Sequence, residues 1–169
     1  MSLGRKEYPK DQSGKLLTPA EAKTKILAYC AYQERCKKEV REKLYSFGLD
    51  ATDIEKLVTF LVLEGFLNEE RFAKSFVRGK FRLKRWGRLR IKKALKERWI
   101  KDHCIDLGLK EIDEQEYMDT LYFLTERKWV RITDSNPYIK KAKLFRFLAD
   151  KGFEPDLIED TFHGLTGDP

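Results

Sequence analysis

The sequence has few of the residues that build disulfide frameworks and metal sites. Its three cysteines, Cys30, Cys36 and Cys104, form neither a CxxC pair nor an even set, and its two histidines, His103 and His163, stand outside any metal-ligand spacing. We therefore expect buried, free thiols and no disulfide, metal ion or other cofactor.

Long apolar runs and nucleotide-binding motifs are also missing. No stretch approaches the roughly 20 apolar residues that cross a bilayer, and the opening MSLGRKEYPKDQSGK lacks the apolar core of a signal peptide. There is no GxxxxGK[ST] or GxGxxG pattern. His103 and Cys104 are neighbours that should point to different sides of a helix, so an activated thiol is not expected. These absences predict a cytoplasmic protein that has no membrane contact and is not an enzyme.

An apolar pattern with steps of 4, 4, 6 and 4 residues occurs three times, at offsets of 51 and 53 residues. Its copies are Val40, Leu44, Gly48, Ile54, Val58; Ile91, Leu95, Trp99, Ile105, Leu109; and Leu144, Leu148, Gly152, Ile158, Phe162. Such a period indicates stacked modules that bury their apolar faces against neighbours. No segment has convincing strand alternation. The sequence predicts an all-α fold, with three tandem three-helix modules in an elongated, curved, repeat-like array.

Local signals place the module boundaries. We predict a flexible tail at 1–17, module 1 at 18–65, a basic module 2 at 66–110, module 3 at 111–164 and a tail at 165–169. Helix caps are predicted at Thr18 with Glu21, Thr52 with Glu55, Asn68 and Asn136. The helix that follows Asn68 is expected to bury Phe72, Phe76 and Leu83 on one side.

The middle module is strongly basic. The whole chain carries a net charge of +7, and residues 74–98 contain twelve Lys or Arg and one acid, Glu97. Helical spacing aligns the cations as two stripes, which favours an anionic partner; a solvated helix surface is the alternative. The candidate residues for contact with a partner or DNA are Arg78, Arg82, Lys84, Arg85, Arg88, Lys92 and Lys96.

Two further features are open to interpretation. Residues 102–119 contain seven acids, which either pair with the basic module or favour the helix dipole, and the dipole is the preferred interpretation. Trp99 replaces the glycine of the other two copies of the pattern. Because tryptophan tolerates positive φ poorly, we expect a different turn there.

The motifs in the middle of the chain resemble those of the RecX family of recombination regulators. They are the run from Gly65 to Ala73 (GFLNEERFA), the run from Trp86 to Ile91 (WGRLRI) and Lys93-Ala94-Leu95. The resemblance extends from about Thr18 to Phe162. It implies a monomeric regulatory protein that binds the RecA recombinase filament on DNA and inhibits its recombination and ATPase activity.

Two other functions compete with this interpretation. Helix, glycine turn and helix occur at 44–54 and 148–158, as in a direct DNA-binding helix-turn-helix protein. Phe72, Phe76 and Trp86 could stack on bases, although their helical spacing favours core packing. The second competing function is a scaffold that binds only protein, in which the basic stripes would have no nucleic acid to contact.

Overall fold

The computed structural model describes residues 16–167, and all regular structure in that range is α-helical. Its nine helices are α1 (Pro19–Tyr32), α2 (Lys37–Ser46), α3 (Ala51–Leu63), α4 (Glu69–Lys84), α5 (Arg88–Lys96), α6 (Asp102–Leu109), α7 (Glu114–Arg131), α8 (Pro137–Lys151) and α9 (Pro155–Thr166). Links of three to five residues join consecutive helices. The predicted all-α fold of tandem helical modules is therefore confirmed.

The chain divides into two compact units, and the division falls inside α4, between Phe72 and Ala73. The first unit contains α1 to α3, and the second contains most of α4 and all of α5 to α9. The predicted second and third modules thus belong mainly to one compact unit. The predicted module boundaries stay predictions.

The threefold apolar pattern marks the core in both units. Its residues with at most 7% of their surface exposed are Val40, Leu44, Ile54, Val58, Ile91, Leu95, Ile105, Leu144, Leu148, Ile158 and Phe162. In the first unit they pack with Ile26, Leu57 and Leu61. Burial of such side chains drives folding, since each contributes about 1.5 to 3 kcal/mol when it leaves water.

Most predicted caps are present, and one is wrong. Thr18 and Glu21 form a capping box, and the side chains of Asn68 and Asn136 accept hydrogen bonds from the first turns of α4 and α8. Helix α3, in contrast, begins one residue before Thr52. Its cap is Asp50, whose carboxylate accepts a 2.8 Å hydrogen bond from the Asp53 amide.

The ends of the described range extend into the predicted tails. Residues 1–15 and 168–169 lie outside the described residues. Leu17 was assigned to the first tail, but its amide donates a 3.0 Å hydrogen bond to the carbonyl of Phe47, and its side chain packs on the core of the first unit. At the other end, α9 continues to Thr166, so Leu165 and Thr166 are helical and not part of a tail.

The apolar face of α4 is only partly the predicted one. Phe72 is buried and Phe76 half-buried, but Leu83 is 81% exposed. The buried stripe instead follows Ala73, Val77 and Phe81 at steps of four residues. Because each residue turns a helix by about 100°, Leu83 lies on nearly the opposite side from Phe81.

The turn at Trp99 is built like the turn at the equivalent glycine, which makes the prediction of a different turn wrong. Trp99 has φ of 60°, and Gly152 has φ of 94°. At each turn, the amide of this residue donates to the carbonyl three residues back, and the next amide donates to the carbonyl five residues back. This pair of bonds closes a helix in the Schellman arrangement. The indole fits because it is 66% exposed.

Candidate binding surface

Four of the seven predicted contact residues are engaged with carboxylates in the second unit. The pairs are Arg78 with Glu111 at 3.0 Å, Arg82 with Glu116 at 3.8 Å, Arg88 with Glu114 at 2.7 Å and Lys96 with Asp102 at 3.4 Å. The acidic segment therefore does pair with the basic stripes, so the preference for a helix-dipole role alone was wrong. Exposed pairs of this kind contribute less than about 1 kcal/mol each.

Arg88 is the most enclosed of these cations, and it belongs to a hydrogen-bonded network. Its guanidinium lies 3.9 Å from the ring centre of Tyr117 and 3.5 Å from Glu154. The Tyr117 hydroxyl donates a 2.6 Å hydrogen bond to Glu154 and accepts one of 3.0 Å from the Arg88 amide. Burial, together with the bond to Glu154, raises the pKa of Tyr117. The network ties α5, α7 and α9 together, which is a structural role.

The start of α5 also meets the end of α8 through the backbone. The Gly87 amide donates to the carbonyl of Lys151 at 2.8 Å, and the Leu89 amide donates to that of Gly152 at 3.0 Å. A Cβ atom on Gly87 would collide with the backbone of Gly152. Amides at the start of α5 that have no partner within their own helix thus donate to carbonyls at the end of α8. This contact fixes α5 against α8.

The other three predicted residues are not ion-paired with any described residue. Lys84 and Arg85 are exposed at the end of α4, and Lys92 is half-buried on α5. The Arg85 guanidinium lies over the ring of Phe123 at 4.6 Å. The predicted set therefore separates into four cations that hold neighbouring helices and three whose charge is available to a partner.

The sequence reasoning missed a second basic region on α7 and α8. Residues 127–151 contain eight Lys or Arg and two acids, so the count that identified residues 74–98 would have found this region too. Three of its cations lie over two aromatic rings, Phe123 and Phe147, near the end of α4. They are Arg127 over Phe123 at 5.8 Å, and Lys128 and Lys151 over Phe147 at 4.9 and 5.9 Å.

The aromatic candidates for base stacking are not free. Phe72 is buried in the core. Phe76 and Trp86 are half-buried, and the Lys80 ammonium lies 5.2 and 5.0 Å from their ring centres. Arg90 lies 4.1 Å from the Trp86 ring. These rings support cations in a cation–π arrangement.

The three cysteines are buried thiols outside any disulfide bond, as predicted. Burial raises the pKa of Cys30, which keeps this thiol protonated and unreactive. One expectation was wrong: His103 and Cys104 do not diverge, since Nε2 and Sγ lie 3.3 Å apart. Cys104 is only 5% exposed, whereas His103 is exposed, so the thiol lies beneath the imidazole. In the described range, no group of three or more potential ligands is placed to hold a metal ion, and no helix is long and apolar enough to span a bilayer.

Comparison with known proteins gives matches along almost the whole described chain. Sequence models of the first, second and third three-helix domains of RecX match residues 22–61, 68–109 and 114–162. The chain is 32% identical over 134 residues to the regulatory protein RecX of Clostridium perfringens strain 13, covering 78% of this chain and 62% of the relative. It is 33% identical over 128 residues to that of Clostridium botulinum strain Alaska E43, covering 75% and 59%. The chain thus spans about six tenths of the length of these relatives.

Solved structures of proteins with the same name share the fold. The crystal structure of RecX from Lactobacillus salivarius superimposes with a TM-score of 0.75 at 25% identity, covering 88% of this chain and 96% of that chain. A second crystal structure, of a regulatory protein RecX, has the same TM-score at 21% identity, covering 84% and 71%. The second likeness concerns the fold alone.

Proposed function

This chain belongs to the RecX family of regulatory proteins, and from that premise we propose that it binds the RecA recombinase filament on DNA and inhibits its ATPase and recombination activities. The observation that carries the proposal is the match of all three RecX domains, in order, along one chain. The choice of RecA as the partner is supported by the motifs from Gly65 to Leu95, which resemble those of the RecX family. The protein would act as a monomer in the cytoplasm and modulate DNA repair.

The charge of the second unit supports an anionic filament as the partner. We propose that Lys84, Arg85 and Lys92 contact the filament, because none is ion-paired with a described residue. Arg78, Arg82, Arg88 and Lys96 instead stabilise the arrangement of the helices through their carboxylate partners. Long cationic side chains suit both phosphates and acidic protein surface.

The charge of the helices that follow the glycine turns argues against a direct helix-turn-helix DNA reader. After Gly48 comes α3, with two acids and one lysine, and after Gly152 comes α9, with three acids and no Lys or Arg. A recognition helix must approach the phosphates that line the major groove, which would repel these carboxylates. The filament proposal does not require either helix to enter a groove.

The proposal is tested by adding the protein to preformed RecA filaments on single-stranded DNA. We expect ATP hydrolysis and strand exchange to fall at less than one protein per recombinase subunit. Unchanged rates at equimolar protein would overturn the proposal. Co-sedimentation with filaments, with and without DNA, separates a filament binder from a protein that binds DNA alone.

The contact residues are tested by a triple variant, Lys84→Glu, Arg85→Glu and Lys92→Glu. We expect inhibition to weaken about tenfold or more at unchanged helix content, since three attractive charges become repulsive. The matched control reverses three exposed cations elsewhere, Lys56, Lys110 and Arg146, for the same change in net charge. If both triple variants inhibit equally well, the contact lies at other residues.

A further inference from the structure

Five cations and two aromatic rings lie in two adjoining groups where α4 ends beside α7 and α8. Arg85 and Arg127 lie over Phe123 at 4.6 and 5.8 Å, and Lys128 and Lys151 lie over Phe147 at 4.9 and 5.9 Å. The ammonium of Lys151 donates a 3.2 Å hydrogen bond to the carbonyl of Lys84, the residue before Arg85. The group around Phe123 and the group around Phe147 adjoin, because Lys84 and Arg85, and likewise Arg127 and Lys128, are neighbours in the chain. We call the set Lys84, Arg85, Phe123, Arg127, Lys128, Phe147 and Lys151 the joint surface.

The positive charge of the joint surface is not fully neutralised within the described part of the chain. None of its five cations forms an ion pair with a described residue, whereas the neighbouring Arg82 is paired with Glu116. Three carboxylates, those of Asp113, Glu116 and Asp119, line the same depression as Arg85 and Phe123. Glu116 pairs with Arg82, and Asp119 accepts a hydrogen bond from the neutral Gln115. These acids offset part of the charge of Arg85, but they form no ion pair with any of the five cations. Concentrated, unpaired charge of one sign is what an interface with a partner of opposite sign requires.

The two rings distinguish a protein partner from a nucleic acid. Stacking of bases needs a free ring face, but Phe123 and Phe147 each have two cations close to their rings. Apolar side chains nevertheless remain at the surface. Phe123 is 41% exposed, and Val130, seven residues later on the same side of α7, is 76% exposed. Arginine and aromatic side chains beside apolar surface are the composition of a protein interface.

We propose that the joint surface docks an acidic segment of the filament protein, with an apolar side chain of that segment against Phe123 and Val130. The carboxylates of the partner pair with Arg127 and Lys128 and with the cations across the rings. This proposal rests on the proposed function, because it takes the filament as the partner. It goes beyond that function by assigning a binding surface on α7 and α8.

The test measures the affinity of the protein for RecA filaments by co-sedimentation. In the double variant Arg127→Glu and Lys128→Glu, we expect affinity to fall about tenfold or more, with unchanged helix content. Phe123→Ala should weaken binding severalfold without any change in charge. The control variant Lys56→Glu with Lys110→Glu has the same net charge as the double variant and should bind like the original protein, because both lysines are exposed and lie outside residues 127–151. Should the double variant fold poorly, Arg127→Gln with Lys128→Gln replaces it, and a smaller loss is expected.

Each alternative result counts against the proposal in a recognisable way. If the original protein does not sediment with filaments, the proposed function and this surface both fail. If the original protein and the double variant sediment equally, the surface alone is wrong. Binding to a free thymidine oligonucleotide, measured by fluorescence anisotropy, identifies the occupant. If the double variant loses oligonucleotide binding by the same factor as filament binding, then DNA and not protein occupies the surface, and the proposal is overturned.

Discussion

The hydroxyl of Tyr117 donates a 2.6 Å hydrogen bond to Oε2 of Glu154, although the two residues lie on α7 and at the start of α9 and the tyrosine is fully buried. The same hydroxyl accepts the amide of Arg88. One oxygen atom thus connects three helices of the second unit. Removing it would leave a carboxylate oxygen and a backbone amide without their partner.

Tyr117→Phe is therefore expected to destabilise the second unit by about 1 to 3 kcal/mol, the usual result of leaving buried polar groups unsatisfied. Urea unfolding followed by circular dichroism measures the change. Tyr122→Phe is the matched control, because Tyr122 is 46% exposed on the same helix and its replacement should change stability by less than about 0.5 kcal/mol. Equal effects of the two replacements would contradict the assigned role of Tyr117.

Gly87→Ala tests the backbone contact between α5 and α8. The added methyl group would meet the backbone of Gly152, which cannot move aside as a flexible side chain can. We expect the free energy of unfolding to fall by about 1 to 3 kcal/mol, as at other overpacked sites. Urea unfolding measures the change. Gly79→Ala is the opposite control: its methyl group meets no described atom within 4 Å apart from its own stretch of helix, and alanine favours a helix by about 1 kcal/mol over glycine. A stabilised Gly87→Ala protein would show that the two backbones separate readily.

Features that depend on neighbouring residues in the sequence were predictable. The threefold pattern identified buried residues such as Leu44, Leu95 and Leu148, because the helical period decides which side chains share a face. Asn68 and Asn136 were recognisable as caps, since a cap bonds to amides two or three residues away. The motifs from Gly65 to Leu95 added the family, which periodicity alone does not supply.

Features that depend on packing between helices were not predictable. Arg78 and Arg85 look equivalent in the sequence, but only Arg78 meets a carboxylate, because Glu111 reaches it from beyond the end of α6. Leu83 fits the period of α4, yet it is 81% exposed, because none of the described helices covers that side at the end of α4. The joint surface likewise combines residues more than sixty positions apart, so no pattern of neighbouring residues in the sequence predicts it.

Stability in acid should depend on Glu55 in the first unit. Its hydrogen bonds from Arg41, the shorter of 2.7 Å, hold the pKa of Glu55 below its ordinary 4.5. A carboxyl group with a lowered pKa stabilises the fold at pH values above its unfolded pKa, and this contribution is lost as pH falls through the folded pKa. Because the pair is exposed, the contribution is less than about 1 kcal/mol. Between about pH 5 and pH 3, urea midpoints should therefore fall less steeply for Glu55→Gln than for the original protein. Glu42→Gln, on α2, is the control. If the urea midpoints of Glu42→Gln and Glu55→Gln fell equally steeply with pH, the assigned role of Glu55 would be contradicted.

Trp99 provides the last prediction, because its backbone conformation is costly for any residue with a Cβ atom. Left-handed φ costs a non-glycine residue about 1 to 2 kcal/mol, and part of this cost remains in every variant except glycine. Trp99→Gly should remove it, at the expense of about 0.5 to 1 kcal/mol of extra chain entropy in the unfolded state. The comparison with Trp99→Ala isolates the backbone effect, since both variants lose the indole. We expect the glycine variant to be more stable than the alanine variant by about 1 kcal/mol in urea unfolding. If the alanine variant is as stable as the glycine variant, or more stable, the turn in solution does not have the left-handed conformation that Trp99 shares with Gly152.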